Sequence, residues 1–345
     1  MKKRLILFVF LGFTVNNLNA QKLKSSQDSI RVFYDKLFSV MEKGYLYKDK
    51  VEWSELRTKV VKDLPQYPDF KSSLKEVATI FDFAAADHCS VKYKDVSYTG
   101  NFPGPTAKDF SEQWLGKYKT KPNFEVKVLD DQFGYILMPE IIMDDFSSKN
   151  THSIAQPMYD SINKIKNSHQ LKGWIIDLRF NTGGNCVPML LGLYDFLGDN
   201  DIWATINLEK EVISKITLSK GKYISGSKKI SYINPKGILL DTAKVAVLTN
   251  IATGSSGEVT ALAFKGRANT IFIGEKTNGK TTTNRVADLA FGAYISITGG
   301  YDADRTGTFY EQIIPDITIT NQDNFDDLLL DGNVQEAIKF ITDKE

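Results

Sequence analysis

Between Ala243 and Asn284 the chain reads as strand, sharp turn, helix, strand and second sharp turn. No other stretch limits the fold as much. Val245–Leu248 is an unbroken apolar run of the length that a fully buried strand takes. Thr253-Gly254-Ser255-Ser256-Gly257-Glu258 follows, then an apolar-periodic helix, a short strand at Thr270–Ile273, and Thr277-Asn278-Gly279-Lys280. Further strands are expected at Tyr135–Met138, Trp174–Leu178 and Tyr294–Thr298. Strands alternating with helices specify a layered α/β core.

This order of parts can hold Ser255 at a helix N-terminus with Lys280 returning beside it. Serine is a poor nucleophile until a base takes its proton, and a neutral lysine can serve as well as a histidine. A lysine amine in water loses its proton only at a pH of roughly 10.4, so it must be desolvated to act near neutral pH. Lys280 follows an Asn-Gly turn and precedes an uncharged, Thr-rich run, which suits such an amine. Unpaired N–H groups at the start of the helix can stabilise a developing oxyanion. A plainer account is also open: Ser255-x-x-Glu258 is a capping-box pattern, and a lysine after a turn is commonly solvated.

The pattern around these residues resembles the C-terminal processing peptidases, or tail-specific proteases. They carry Ser-x-x-Glu after a strand, then a helix, then Gly-Glu-x-Thr-x-Gly-Lys. The resemblance implies Ser255 as nucleophile, Lys280 as general base twenty-five residues later, and Asn284 in the place of a residue that orients the amine. Upstream, Gly173-Trp174-Ile175-Ile176-Asp177-Leu178-Arg179-Phe180-Asn181-Thr182-Gly183-Gly184 resembles the family's Asp-x-Arg-x-Asn-x-Gly-Gly turn. That likeness implies an oxyanion hole from the amide of Gly183 or Gly184 and the amide of Ser256. It also implies a crotonase-like (ClpP-like) spiral α/β core.

A third block, Ala86-Asp87-His88-Cys89-Ser90, resembles the Asp-x-His-Ser/Thr of relatives, with the spacer missing. In the tricorn-type branch this histidine is the base. With Lys280 present, the expectation is lysine as base and His88 as an auxiliary or cleft residue. The stretch between His88 and Phe133 is far too short for the PDZ module of tail-specific members. Leu330–Ala337 resembles the family's terminal helix.

Met1–Ala20 reads as a signal peptide: Lys2-Lys3-Arg4, an apolar core over Leu5–Val15, and a small residue at Ala20. No cysteine follows it to carry a lipid anchor, so the expected place is periplasmic or extracellular. The remainder divides into a small N-terminal helical domain, residues 22–116, and a catalytic α/β domain, residues 125–345. Ile30, Phe33, Leu37 and Phe38 support a helix over Ser29–Glu42, and a second is expected over Ala78–Ala86. Ser97–Phe124, rich in Gly, Pro and Lys, reads as loop. Lys210–Asn234 reads as a β arm or an ordinary surface hairpin.

A net charge of +1 gives no reason to expect a nucleic-acid or anionic-membrane partner. Two cysteines, Cys89 and Cys186, and three histidines are too sparse for a zinc site. No metal or other cofactor is expected, and the partner is a polypeptide substrate. The competing class is a non-catalytic carrier of apolar ligands or peptides on the same scaffold. An intact Ser255 and Lys280 distinguishes the enzyme, because a carrier has no use for the pair.

Overall fold

In the computed structural model, residues 25–343 are described; the expected signal peptide lies outside them. Apolar runs become the central strands of a six-stranded sheet. Phe133–Leu137, Gly173–Asp177, Val245–Thr249 and Thr270–Gly274 lie side by side in parallel. Glu125–Leu129 and Ile317–Thr318 close its two edges. The first three of the central strands are buried throughout, which is why they show no alternation of apolar and polar residues.

A second, mainly antiparallel sheet of eight strands is built around Tyr294–Asp304. Thr282–Asp288 pairs along one side of that long strand, while Ser90–Tyr93 and Asp201–Ile206 pair with its two ends. Beyond Asp201–Ile206, the strands Val212–Ser219, Lys222–Ser225 and Lys228–Tyr232 continue the sheet as a meander. Ile216, Leu218, Tyr223 and Ile233 are buried in the main core, so Lys210–Asn234 forms part of the sheet instead of projecting from it.

Helices Ser26–Gly44, Trp53–Asp63 and Glu76–Phe83 make a separate N-terminal cluster. It packs on Leu289, Ala293, Ile295 and Ile297 of the C-terminal half, and its hairpin of Ser90–Tyr93 and Val96–Tyr98 enters the eight-stranded sheet. The stretch expected as loop contains a helix, Glu112–Lys119. Trp114 organises it: the indole stacks between Phe110, Tyr118 and Phe180, and Nε1 donates to the Arg179 carbonyl at 2.9 Å. The terminal helix is Gly332–Thr342.

Where Gly173–Asp177 ends, Arg179 is 1% exposed and faces three carboxylates. Its guanidinium donates to Asp177 Oδ2 at 2.6 Å, to Asp323 Oδ1 at 2.7 Å and to Asp331 Oδ2 at 2.8 Å. This cluster ties the turn that carries Gly183 and Gly184 to the C-terminal segment. Removing one partner of a buried ion cluster strands the others without counter-charge. Arg179→Met is therefore expected to cost about 3–5 kcal/mol in urea unfolding; a loss below about 1 kcal/mol would contradict this role.

Candidate active site

The site is assembled from the ends of three parallel-sheet connections and one turn of the N-terminal cluster. Beyond Val245–Thr249 the chain folds back: Thr253 N–H donates to the Asn250 carbonyl at 2.9 Å, and Gly254 N–H to the Asn181 carbonyl at 3.0 Å. Ser255 then takes φ 51°, ψ −116°, and the helix Ser256–Leu262 starts at the next residue. Positive φ is costly for a non-glycine residue and persists only where the surroundings impose it.

Glu258 imposes it. Its carboxylate is fully buried and accepts four hydrogen bonds. Oε2 takes the N–H of Ser255 at 2.9 Å and of Lys280 at 2.8 Å; Oε1 takes the Thr277 hydroxyl at 2.5 Å and the Gly279 N–H at 2.8 Å. Burial raises the Glu258 carboxyl above its ordinary value, and these four donors pull it back. Gly257 lets the helix start seat against the Asn181 turn, where an added Cβ would fall 2.4 Å from the Asn181 carbonyl oxygen.

His88 arrives from the turn after Glu76–Phe83. Its Nε2 lies 3.1 Å from Ser255 Oγ, and its Nδ1 lies 2.6 Å from Thr282 Oγ1. With the serine hydroxyl donating to Nε2, Nδ1 carries the proton and donates to Thr282. Burial pushes the imidazole down to about 4; the nearby Lys280 charge adds to this and Asp87 opposes it. His88 is thus neutral at physiological pH, the state a base requires.

Lys280 does not meet the expectation set for it. Its amine bonds Asp87, at 2.5 Å from Oδ2 and 3.1 Å from the carbonyl oxygen, on a partly exposed face. The physical reason is local: the Lys280 N–H is fixed on Glu258, and the side chain leaves toward the carboxylate beside His88. Asn284 likewise holds no amine. Its Nδ2 donates to the His88 carbonyl at 2.7 Å, and its Oδ1 accepts from Thr298 Oγ1 at 3.0 Å, so it fixes the backbone of the histidine.

Gly183 and Gly184 pass beside Ser255. A Cβ on Gly183 would come 3.1 Å from that of Ser255, and one on Gly184 would fall 2.2 Å from the Ile141 carbonyl oxygen. The Gly183 N–H is taken by Asn181 Oδ1 at 3.3 Å. Those of Gly184 and Ser256 have no hydrogen-bond partner among the described residues, while the Ser256 hydroxyl donates to the Gly184 carbonyl at 2.7 Å. Ser255, Ser256 and Gly184 open onto a cleft of about 430 Å³.

Thr282 and Thr283, on the strand after Lys280, are site residues that sequence reasoning missed; the Thr-rich run was the available signal. Cys89 and Cys186 are both free thiols: Cys89 accepts from the Thr298 N–H, and Cys186 lies against Tyr223. No group of three metal-ligating side chains occurs among the described residues.

A strained serine, a neutral imidazole in contact with it and two free amides define a serine-type hydrolase. The profile of peptidase family S41 matches residues 132–319. The chain belongs to that family, the C-terminal processing peptidases, and is a serine-type peptidase with their crotonase-like core. It is 28% identical over 285 residues to a nisin-resistance protein of Lactococcus lactis subsp. lactis, covering 81% of this chain and 80% of that protein. A lipoprotein structure from Streptococcus agalactiae superposes with a TM-score of 0.65 at 24% identity, covering 92% of this chain and 96% of that one. The photosystem II D1 C-terminal processing protease gives 0.51 at 15% identity, covering 90% and 97%. Family membership and the site together favour the enzyme over the carrier.

Glu258→Gln replaces one acceptor oxygen by a donor that, in either orientation, faces at least one N–H group. It should cost about 1–3 kcal/mol of stability in chemical denaturation and slow fluorophosphonate labelling of Ser255. Unchanged labelling would show that the clamp does not set the serine.

Proposed function

We propose that the chain is an exported endopeptidase in which Ser255 is the nucleophile and His88 the general base. The observation that carries this is the 3.1 Å approach of Ser255 Oγ to His88 Nε2. His88 takes the hydroxyl proton as Oγ attacks the peptide carbonyl. The amides of Ser256 and Gly184 receive the oxyanion. The imidazolium then protonates the leaving amine, and a water, deprotonated by the same imidazole, hydrolyses the acyl-enzyme.

Thr282 stands where many such sites place a carboxylate, and holds the ring by accepting a hydrogen bond from Nδ1–H when Nε2 faces the serine hydroxyl. Being neutral, it brings no charge to offset the burial that, with the Lys280 charge, pushes the imidazole down to about 4. Lys280 and Asp87 act as an ion pair beside the base. Export is supported by the basic, apolar and small-residue pattern of Met1–Ala20; among the described residues, no helix is long and apolar enough to cross a membrane. The likeness to a nisin-resistance protein makes nisin the first peptide to test.

Incubation of the mature protein with nisin and with unstructured peptides, read by mass spectrometry, checks the assignment. Ser255→Ala should abolish cleavage, and His88→Ala should lower kcat by about 10²–10⁴-fold. Lys280→Ala should retain most of it. Loss in Lys280→Ala with retention in His88→Ala would reverse the roles.

A further inference from the structure

Two carboxylates that the reaction does not use line the cleft: Asp144, which is paired with Lys92, and Asp302, which has no cationic partner among the described residues. Asp302, on the long strand Tyr294–Asp304, is only 2% exposed yet lines the same cleft as Ser255. Its Oδ1 accepts from Thr283 Oγ1 at 2.5 Å, and Thr283 lies 3.1 Å from Thr205 Oγ1. Its other oxygen makes no hydrogen bond among the described residues.

A buried carboxylate without a counter-charge is unfavourable when ionised, and its idle oxygen, which is open to the cleft, is free to take a partner from there. Burial pushes Asp302 up to about 7, with the Thr283 bond opposing and the charge of Glu258 adding. A group arriving through the cleft meets both conditions if it is a cationic donor. The surroundings fit the rest of such a side chain: Trp203, Val259 and Cys186 line the same cleft and can cover a methylene stem, leaving only the head to be paired. Lys92, a cation lining the cleft, is already paired with Asp144.

We propose that Asp302 is the specificity-determining carboxylate of the pocket for the residue on the acyl side of the scissile bond, receiving the ammonium of lysine or the guanidinium of arginine. The acyl side follows from the walls. Gly184 and Ser256, whose amides frame the reacting carbonyl, also line this cleft, and that residue's side chain branches one bond from the carbonyl carbon. The assignment rests on Ser255 as the nucleophile. A neutral side chain of equal length leaves Asp302 unpaired, and sites built around a polar contact reject the analogue that lacks it.

Two peptidyl diphenyl phosphonates that differ only in lysine or norleucine at this position test the proposal. The second-order rate of Ser255 phosphonylation is read for each by mass spectrometry. In the unaltered protein the lysine probe should react roughly 100-fold faster. In Asp302→Asn the ratio of the two rates should fall toward one; as a ratio within one sample, it is insensitive to the fraction folded. Equal rates in the unaltered protein, or an unchanged ratio in Asp302→Asn, would overturn the pocket assignment while fluorophosphonate labelling leaves the nucleophile standing. A Ser255 inert to both probes and to a fluorophosphonate would overturn the nucleophile and the pocket together.

Discussion

The site depends on one buried carboxylate. Glu258 ties the backbone of Ser255 to Thr277, Gly279 and Lys280, segments separated from it by a helix and a strand. Burying a charge without partners costs several kcal/mol, whereas four donors saturate the acceptor sites of a carboxylate. The strained serine is held because releasing it would leave this charge unsatisfied. Thr277 passes the constraint on: its hydroxyl also accepts the Ile313 N–H at 2.9 Å, joining the site to the C-terminal segment. The Ser-x-x-Glu spacing that marks a helix cap thus also fixes the backbone of Ser255, whose hydroxyl lies against His88.

Asp87 and His88 are adjacent in the chain. The two side chains diverge, Asp87 to Lys280 and His88 to Ser255. The lysine charge is kept near the imidazole without touching the serine, and it helps hold His88 neutral. Asn284 and Thr282, two residues apart on one strand, hold the histidine by its carbonyl and by its Nδ1. Both point the same way because side chains alternate along a strand.

Much of the scaffold was legible because its signals are local. Val245–Leu248 and Thr270–Ile273 read as strands from uninterrupted apolar runs, and each ends within one residue of that reading. The helix read over Ser29–Glu42 extends to Ser26–Gly44. What escaped depends on distant partners. Glu112–Lys119 sits in a Gly-, Pro- and Lys-rich stretch, and the stacking of Trp114 on Phe180 that organises it is invisible along the chain. The site shows the same division. Ser255, Glu258, Gly184 and His88 could be named from their blocks, but the direction in which the Lys280 side chain leaves Glu258 is a tertiary fact. A spacing of twenty-five residues places the backbone of Lys280 and says nothing of its amine. Thr282 carries no signal of its own beyond lying in a Thr-rich run.

The central claim is that a neutral, part-buried His88 activates Ser255, and the pH dependence of Ser255 phosphonylation tests it most directly. Protonation of His88 removes the acceptor, so the rate should be flat through neutral pH and fall only as pH drops through about 4, in the unaltered protein and in Lys280→Ala alike. A rate that instead climbs through the alkaline range as an amine loses its proton, and loses that climb in Lys280→Ala, would contradict the account and make lysine the base.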